Sequence, residues 1–198
     1  MNRFVNQPKT KRGQATLDRL CDAAEQLFYK QGYYATSIND ITSKAKVAPG
    51  TFYIYFADKI SIYKHLLVNY SHDIRKYIAV RIKEANVSTR KEAERIGLRA
   101  FLEYIKENKS MYNIIWESLY IDKRLFIEYY SDFAKNYAFH IEEAIGKGQM
   151  KDYDPEVVAY LLMGISNFIG LNWIMFSERT DVDHAVDEVM KILEEGLF

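Results

Sequence analysis

A single cysteine in 198 residues, Cys21, leaves no possibility of an internal disulfide. Three prolines and nine glycines provide few breaks, and period-two alternation of β-branched residues is nowhere sustained, so strands have no support and an all-α chain is expected. No charged segment followed by an apolar run opens the chain, so a secretory signal is not expected, and a lone thiol suits a reducing cytoplasm. Chemical signatures are missing too. Glycine-rich phosphate loops, GxSxG elbows, CxxC pairs and HExxH motifs are absent. His65 and His72 stand seven apart and read as partly exposed helix residues, and the acid pairs Glu142-Glu143 and Glu194-Glu195 as solvated helix surface. Neither enzyme activity, metal nor cofactor is expected.

What is present is an apolar content of 48%, enough for a buried core in one large or two modest domains. The first helix is expected over about Gln14 to Gln31, with a stripe of Leu17, Leu20, Cys21, Ala24, Leu27 and Phe28 and Gly32 as its C-terminal stop. Cys21 on that stripe reads as a buried structural thiol. Residues 37 to 59 then read as two short helices around a tight turn. Ser37 caps the first with Asp40 three residues on, placing Ile38, Ile41 and Ala45 on one face. Pro49 suits the first position of the second, where its missing N–H costs nothing. Phe52 and Phe56, at i and i+4, turn inward there and leave Thr51, Tyr53, Ile54 and Tyr55 elsewhere.

Net charge is zero, but unevenly spread. Residues 1 to 65 hold ten Lys and Arg against five Asp and Glu, a net +5; residues 66 to 198 hold 17 against 22, a net −5. A positive first third is what phosphate binding needs, because affinity grows with the number of phosphates neutralised. Arg3, Lys9, Lys11 and Arg12 form a basic arm ahead of the first helix. Such an arm reaches phosphates or a minor groove, or is a solvated tail.

Over residues 14 to 64 the chain resembles the TetR family of bacterial transcriptional repressors. The likeness runs through Phe28-Tyr29-Lys30-Gln31-Gly32-Tyr33, Ala35-Thr36-Ser37, Asp40-Ile41, Gly50-Thr51-Phe52-Tyr53, Tyr55-Phe56 and Lys59. Lys46 stands where the family has glycine in the turn, and Ala48 where a hydroxyl cap is usual, so a positive φ at Lys46 and a weaker second cap are expected. The resemblance implies a helix-turn-helix domain over 1–64 and an effector-binding and dimerisation domain over 65–198. It implies double-stranded operator DNA as partner, with Ser37, Asn39, Lys46, Pro49, Gly50, Thr51, Tyr53, Ile54, Tyr55 and Lys59 at the interface. Asn39 would reach a base edge, residues 49–51 would allow close approach, and Tyr53, Tyr55 and Lys59 would hold phosphates.

Beyond a long helix to about Lys83, helices are expected over Arg90 to Glu107, Met111 to Tyr120 and Lys123 to Ile145. Their rings suggest a mainly apolar or aromatic small-molecule effector lined by Tyr104, Trp116, Phe133, Tyr137 and Phe168, although such stripes also build plain cores. Residues 157 to 176 carry no charge over 20 positions, a length that could span a bilayer. Ser166, Asn167 and Asn172 interrupt the run, and the flanks Asp154, Glu156, Glu178 and Arg179 show no positive-inside bias, so no membrane is expected. The run and a last helix capped near Thr180 or Asp181 resemble the C-terminal pair through which TetR-type proteins form homodimers. Leu161, Ile165, Phe168, Asn172, Val186, Val189 and Leu193 would make that interface. The expected protein is a cytoplasmic repressor released by its effector; the alternative is a helical ligand-binding or membrane-attached protein that does not bind DNA.

Overall fold

The computed structural model describes residues 4–177, 179 and 181–198; Arg3 of the basic arm, Glu178 and the candidate cap Thr180 lie outside the described residues. Among those described there is no strand. The helices are α1 (Lys11–Ala35), α2 (Ile38–Lys44), α3 (Pro49–Tyr55), α4 (Lys59–Glu84), α5 (Arg90–Glu107), α6 (Lys109–Ile121), α7 (Lys123–Gly146), α8 (Pro155–Gly170) and α9 (Val182–Leu197), with a π-helical turn over Leu171–Phe176. Their ends follow local chemistry. Thr89 and Glu92 cap α5 reciprocally, the Asp154 carboxylate accepts from the N–H groups of Glu156 and Val157, and Asp181 accepts from that of His184. Thr10 caps α1 three residues earlier than expected, so Lys11 and Arg12 belong to its first turn and not to a loose arm.

The chain divides into two compact units. One takes the chain up to Ser71 together with Ser110–Tyr129, the other His72–Lys109 with Tyr130–Phe198. The linear boundary at residue 64 therefore misses a helix, because α6 packs with the N-terminal helices. Its Met111, Tyr112, Ile114 and Ile115 are buried. The Ser110 hydroxyl donates to Glu25, the Tyr63 hydroxyl to the Ile114 carbonyl at 2.5 Å, and the Tyr34 hydroxyl to the Tyr120 carbonyl at 3.2 Å. Phe28, Phe52, Phe56, Ile62 and Tyr63 complete this core with no exposed surface. Cys21 is half-buried, and burial, reinforced by Asp18, Asp22 and Glu25, pushes its thiol up to about 12, so it stays protonated.

In the second unit Leu98 and Leu102 of α5 meet Ile141 and Ala144 of α7, Val158, Ala159 and Leu162 of α8, and the apolar stripe of α9. Here three interface expectations are corrected. Val186, Val189 and Leu193 are at most 7% exposed, spent on their own core. Ion pairs fix α9 to α5: Arg99 with Asp183 at 3.0 Å, Arg95 with Asp187 and Lys91 with Glu194. An amphipathic helix has one apolar stripe, and once α5 takes it none is left for a partner. Ile165 also packs against this core, whereas Leu161, Phe168 and Asn172 are exposed.

His65 is a further correction, being only 6% exposed beside Phe56. Burial lowers its imidazole below the usual 6.5. As pH falls the unfolded chain then takes up this proton more readily than the folded one, so stability is lost below about pH 6.5. Urea midpoints at pH 7.5 and 5.0 should differ accordingly, and His65→Gln should shrink the gap; an unchanged gap would clear His65 of the effect.

Candidate nucleic-acid interface

The interface is built from two short helices that tertiary contacts hold in place, since seven residues are too few for a helix to persist alone. At the start of α2 the Ser37 hydroxyl accepts from the Asp40 N–H at 3.1 Å while the Asp40 carboxylate accepts from the Ser37 N–H at 2.8 Å. The Ser37 hydroxyl also donates to that carboxylate at 2.6 Å, and this bond, with the one from the Ser37 N–H, holds the Asp40 carboxyl below the usual carboxylate range. At its end the Lys46 N–H donates to the Ser43 carbonyl at 3.1 Å and the Val47 N–H to the Thr42 carbonyl at 3.0 Å. This double reversal needs a left-handed residue at position 46, and Lys46 supplies it with φ 54°. A side chain there costs on the order of 1 kcal/mol over glycine. Ala48 then opens α3 with no side-chain cap and Pro49 follows at the first turn.

Burial separates the two sides of α3. Phe52 and Phe56 are fully buried, whereas Tyr53 is 58% and Ile54 62% exposed. Asn39, Lys46, Pro49 and Gly50 are exposed and Thr51 half-buried. A methyl at Gly50 would meet nothing within 4 Å, so the fold itself does not demand glycine there. These side chains form one outward surface of hydroxyl, amide, ring and cation, the groups that read base edges and phosphates.

Two expected contacts face the other way. Tyr55 is 7% exposed and its hydroxyl donates to the Gly13 carbonyl at 3.1 Å, tying α3 to α1. Lys59 is half-buried, its ammonium 4.2 Å from the Tyr33 ring centre. It donates to the Tyr33 carbonyl at 2.7 Å and the Thr36 carbonyl at 2.6 Å. Burial lowers its pKa, with Glu117 pulling the other way. A lysine in the first turn of a helix is thus explained by the carbonyls at the end of α1. Two further residues, Asn6 and Glu117, hold this region although sequence spacing gave no reason to choose them. Asn6, itself exposed, ties the chain ahead of α1 to α3: its N–H donates to the Tyr55 carbonyl at 2.9 Å and its amide to the Ile54 carbonyl at 3.1 Å. Glu117 accepts from the Tyr33 N–H at 2.8 Å. They lie 48 and 84 positions from their partners, beyond any local pattern.

The expected effector residues do not form one group. Trp116 belongs to the first unit and Tyr104, Phe133, Tyr137 and Phe168 to the second. Tyr104 packs on Tyr77 and Phe133 on Tyr137. The Tyr137 hydroxyl donates to Glu94, itself bonded by Arg90, and burial with the Glu94 charge raises its pKa well above the usual value. Phe168, 65% exposed, points away from its own core and is no interior liner.

Lys59→Met should lower unfolding free energy by about 1 kcal/mol through loss of two hydrogen bonds from a charged donor at a partly solvated site. It should weaken DNA binding only through the displaced turn, leaving the salt slope unchanged in anisotropy titrations. A slope reduced by about 0.9 would instead restore Lys59 to a phosphate.

Residues 20–66 match the family model of bacterial regulatory proteins, tetR family. The transposon Tn10 TetC protein of Escherichia coli is 29% identical over 179 residues, covering 84% of this chain and 84% of that protein. Among solved structures, the fatty acid degradation regulator FadR from Bacillus halodurans superposes with a TM-score of 0.80 at 20% identity, covering 94% of this chain and 96% of that one. FadR from Bacillus subtilis, solved in complex with stearoyl-CoA, gives a TM-score of 0.72 at 20% identity, covering 89% and 96%. The capped α2, the tight turn at Lys46 and the exposed face of α3 all lie inside the matched segment, so this part of the chain is similar to the bacterial regulatory proteins of the tetR family.

Proposed function

We propose that the protein is a homodimeric repressor that leaves its operator when a small apolar or aromatic effector binds. The observation that carries the DNA reading is the outward face of α3, with Tyr53 and Ile54 exposed while Phe52 and Phe56 anchor the helix from below. Asn39 reads a base edge; Lys46, Thr51 and Tyr53 hold phosphates; Pro49, Gly50 and Ile54 lie against the groove; Ser37 sits at the positive end of α2, where an anion is favoured. Tyr55 and Lys59 act by holding these helices in place. The apolar effector reading draws support from the ring-rich helices of this chain and from the stearoyl-CoA bound by the similar Bacillus subtilis fold. Release follows from linkage: a ligand that prefers the non-binding state lowers operator affinity by the ratio of its two affinities.

Dimerisation rests on α8. Val157, Leu161 and Phe168 recur along one side of the helix and are 64%, 49% and 65% exposed, with Tyr160 beside them at 44%. Pro155–Phe176 is long and apolar enough to cross a membrane. Its other side, Val158, Ala159, Leu162 and Met163, is buried in the core, which favours a soluble helix covered by a second copy. Two copies also read two half-sites, which a seven-residue helix needs for specificity.

DNA selected by the protein from a random pool should be retained with steep salt dependence, and the protein should scatter light as a dimer without detergent. Phe168→Glu should give a folded monomer with operator affinity lowered at least about tenfold, whereas Ile165→Glu, facing inward, should unfold the second unit. A wild-type monomer at micromolar concentration, or solubility only in detergent, would refute the dimer.

A further inference from the structure

In the first unit a cleft of about 360 Å3 opens between the C-terminal part of α1 and α6. That is within the lower range of small-molecule sites. Its aromatic walls are Phe28, Tyr29, Trp116 and Tyr120, of which Tyr29 is 44% and Tyr120 79% exposed, so rings stand at its mouth as well as its floor. The polar lining is Asn113 and Glu117; no Lys, Arg or His lines it among the described residues.

Glu117 is incompletely matched. Its Oε1 accepts the Tyr33 N–H at 2.8 Å, while its Oε2 is buried with no hydrogen-bond partner among the described residues. Lys59, a cation near enough to feel its charge, donates to the Tyr33 and Thr36 carbonyls. The cleft thus presents an under-compensated carboxylate among electron-rich ring faces. Both features attract positive charge, and neither suits a carboxylate or phosphate ligand. Gly32 forms part of the same wall, and a methyl added there would lie 3.0 Å from Oε1, so glycine lets the carboxylate approach the helix end.

We propose that this cleft binds a small organic cation with a planar aromatic body, and that occupancy weakens operator binding by drawing Glu117 off the Tyr33 N–H. That N–H lies in the last turn of α1, just past the kink at Gly32 and four residues before the Ser37 cap of α2, so loss of its acceptor loosens the mount of the DNA-reading helices. The coupling half rests on the operator-binding reading; the ligand half does not.

The test uses the full chain carrying Trp173→Phe, which leaves Trp116 as the only indole. Phenylguanidinium should perturb Trp116 fluorescence at submillimolar concentration, neutral benzyl alcohol should bind at least about tenfold more weakly, and benzoate should not bind. Glu117→Gln keeps an acceptor for the Tyr33 N–H but removes the charge, and should reduce phenylguanidinium to the level of the alcohol with thermal stability maintained. Asn113→Phe should block the cleft while leaving the circular dichroism spectrum unchanged. Phenylguanidinium should also lower affinity for the selected DNA several-fold, and not in Glu117→Gln. No binding to the unsubstituted cleft at millimolar phenylguanidinium, equal binding of benzoate, or equal binding by Glu117→Gln overturns the site. Binding with unaltered DNA affinity overturns the coupling. Failure of the protein to retain any DNA refutes the regulator reading instead, since the fluorescence titration contains no DNA.

Discussion

The end of α1 sets the condition on which the DNA-reading surface depends. A helix leaves its last carbonyls without partners, and here two carbonyls at that end, those of Tyr33 and Thr36, take the Lys59 ammonium from α4. The neighbouring Tyr33 N–H takes the Glu117 carboxylate from α6. Gly32, at φ 81° at a kink near the end of α1, makes room for the carboxylate, since a methyl there would lie 3.0 Å from its Oε1. A cation and an anion from two helices thus fix four residues of backbone, and α2 starts immediately afterwards at Ile38. Charged donors and acceptors give shorter, stiffer bonds than neutral ones, which suits a joint whose direction is transmitted to a short helix.

Below that joint the first unit is held by apolar packing with a few directed bonds. Phe28, Tyr33 and Tyr63 meet ring against ring at 5.2 to 5.6 Å, and the Tyr63 hydroxyl donates a hydrogen bond to the Ile114 carbonyl. Rings pack tilted or edge-on because their positive edges seek negative faces, which adds orientation to burial. The second unit solves a different problem. There α9 is zipped to α5 by an apolar stripe with ion pairs along its exposed border, and those exposed pairs orient more than they stabilise.

Local rules are legible in the sequence. Ser37 with Asp40, Thr89 with Glu92, and Pro49 and Pro155 at helix starts are chemistry between residues three or four apart, and the helices fall where these signals put them. The positive φ at Lys46 was legible only through the resemblance, because the family has glycine at that place in the turn. The misplacements are tertiary. Nothing in the sequence says whether an apolar stripe meets its own core or a partner, so Val186, Val189 and Leu193 of α9 could not be told from Leu161 and Phe168 of α8. Tyr55 and Lys59 carry polar tips that suit phosphate and backbone carbonyl alike, and only the position of α1 decides between them. The effector residues suffered most, because aromatic stripes line cores and cavities with the same spacing.

Gly50 separates folding from use. In a helix, alanine is favoured over glycine by roughly 0.5–1 kcal/mol, and the space beside Gly50 is open, so the chain would fold at least as well with a side chain there. A search for more stable variants would therefore accept Gly50→Ala readily and report success. The same methyl would stand on the outward face of α3 as a spacer roughly the size of one carbon, holding the helix off whatever surface it meets. Stability and recognition pull this position in opposite directions, and thermal melting alone would register just one of them.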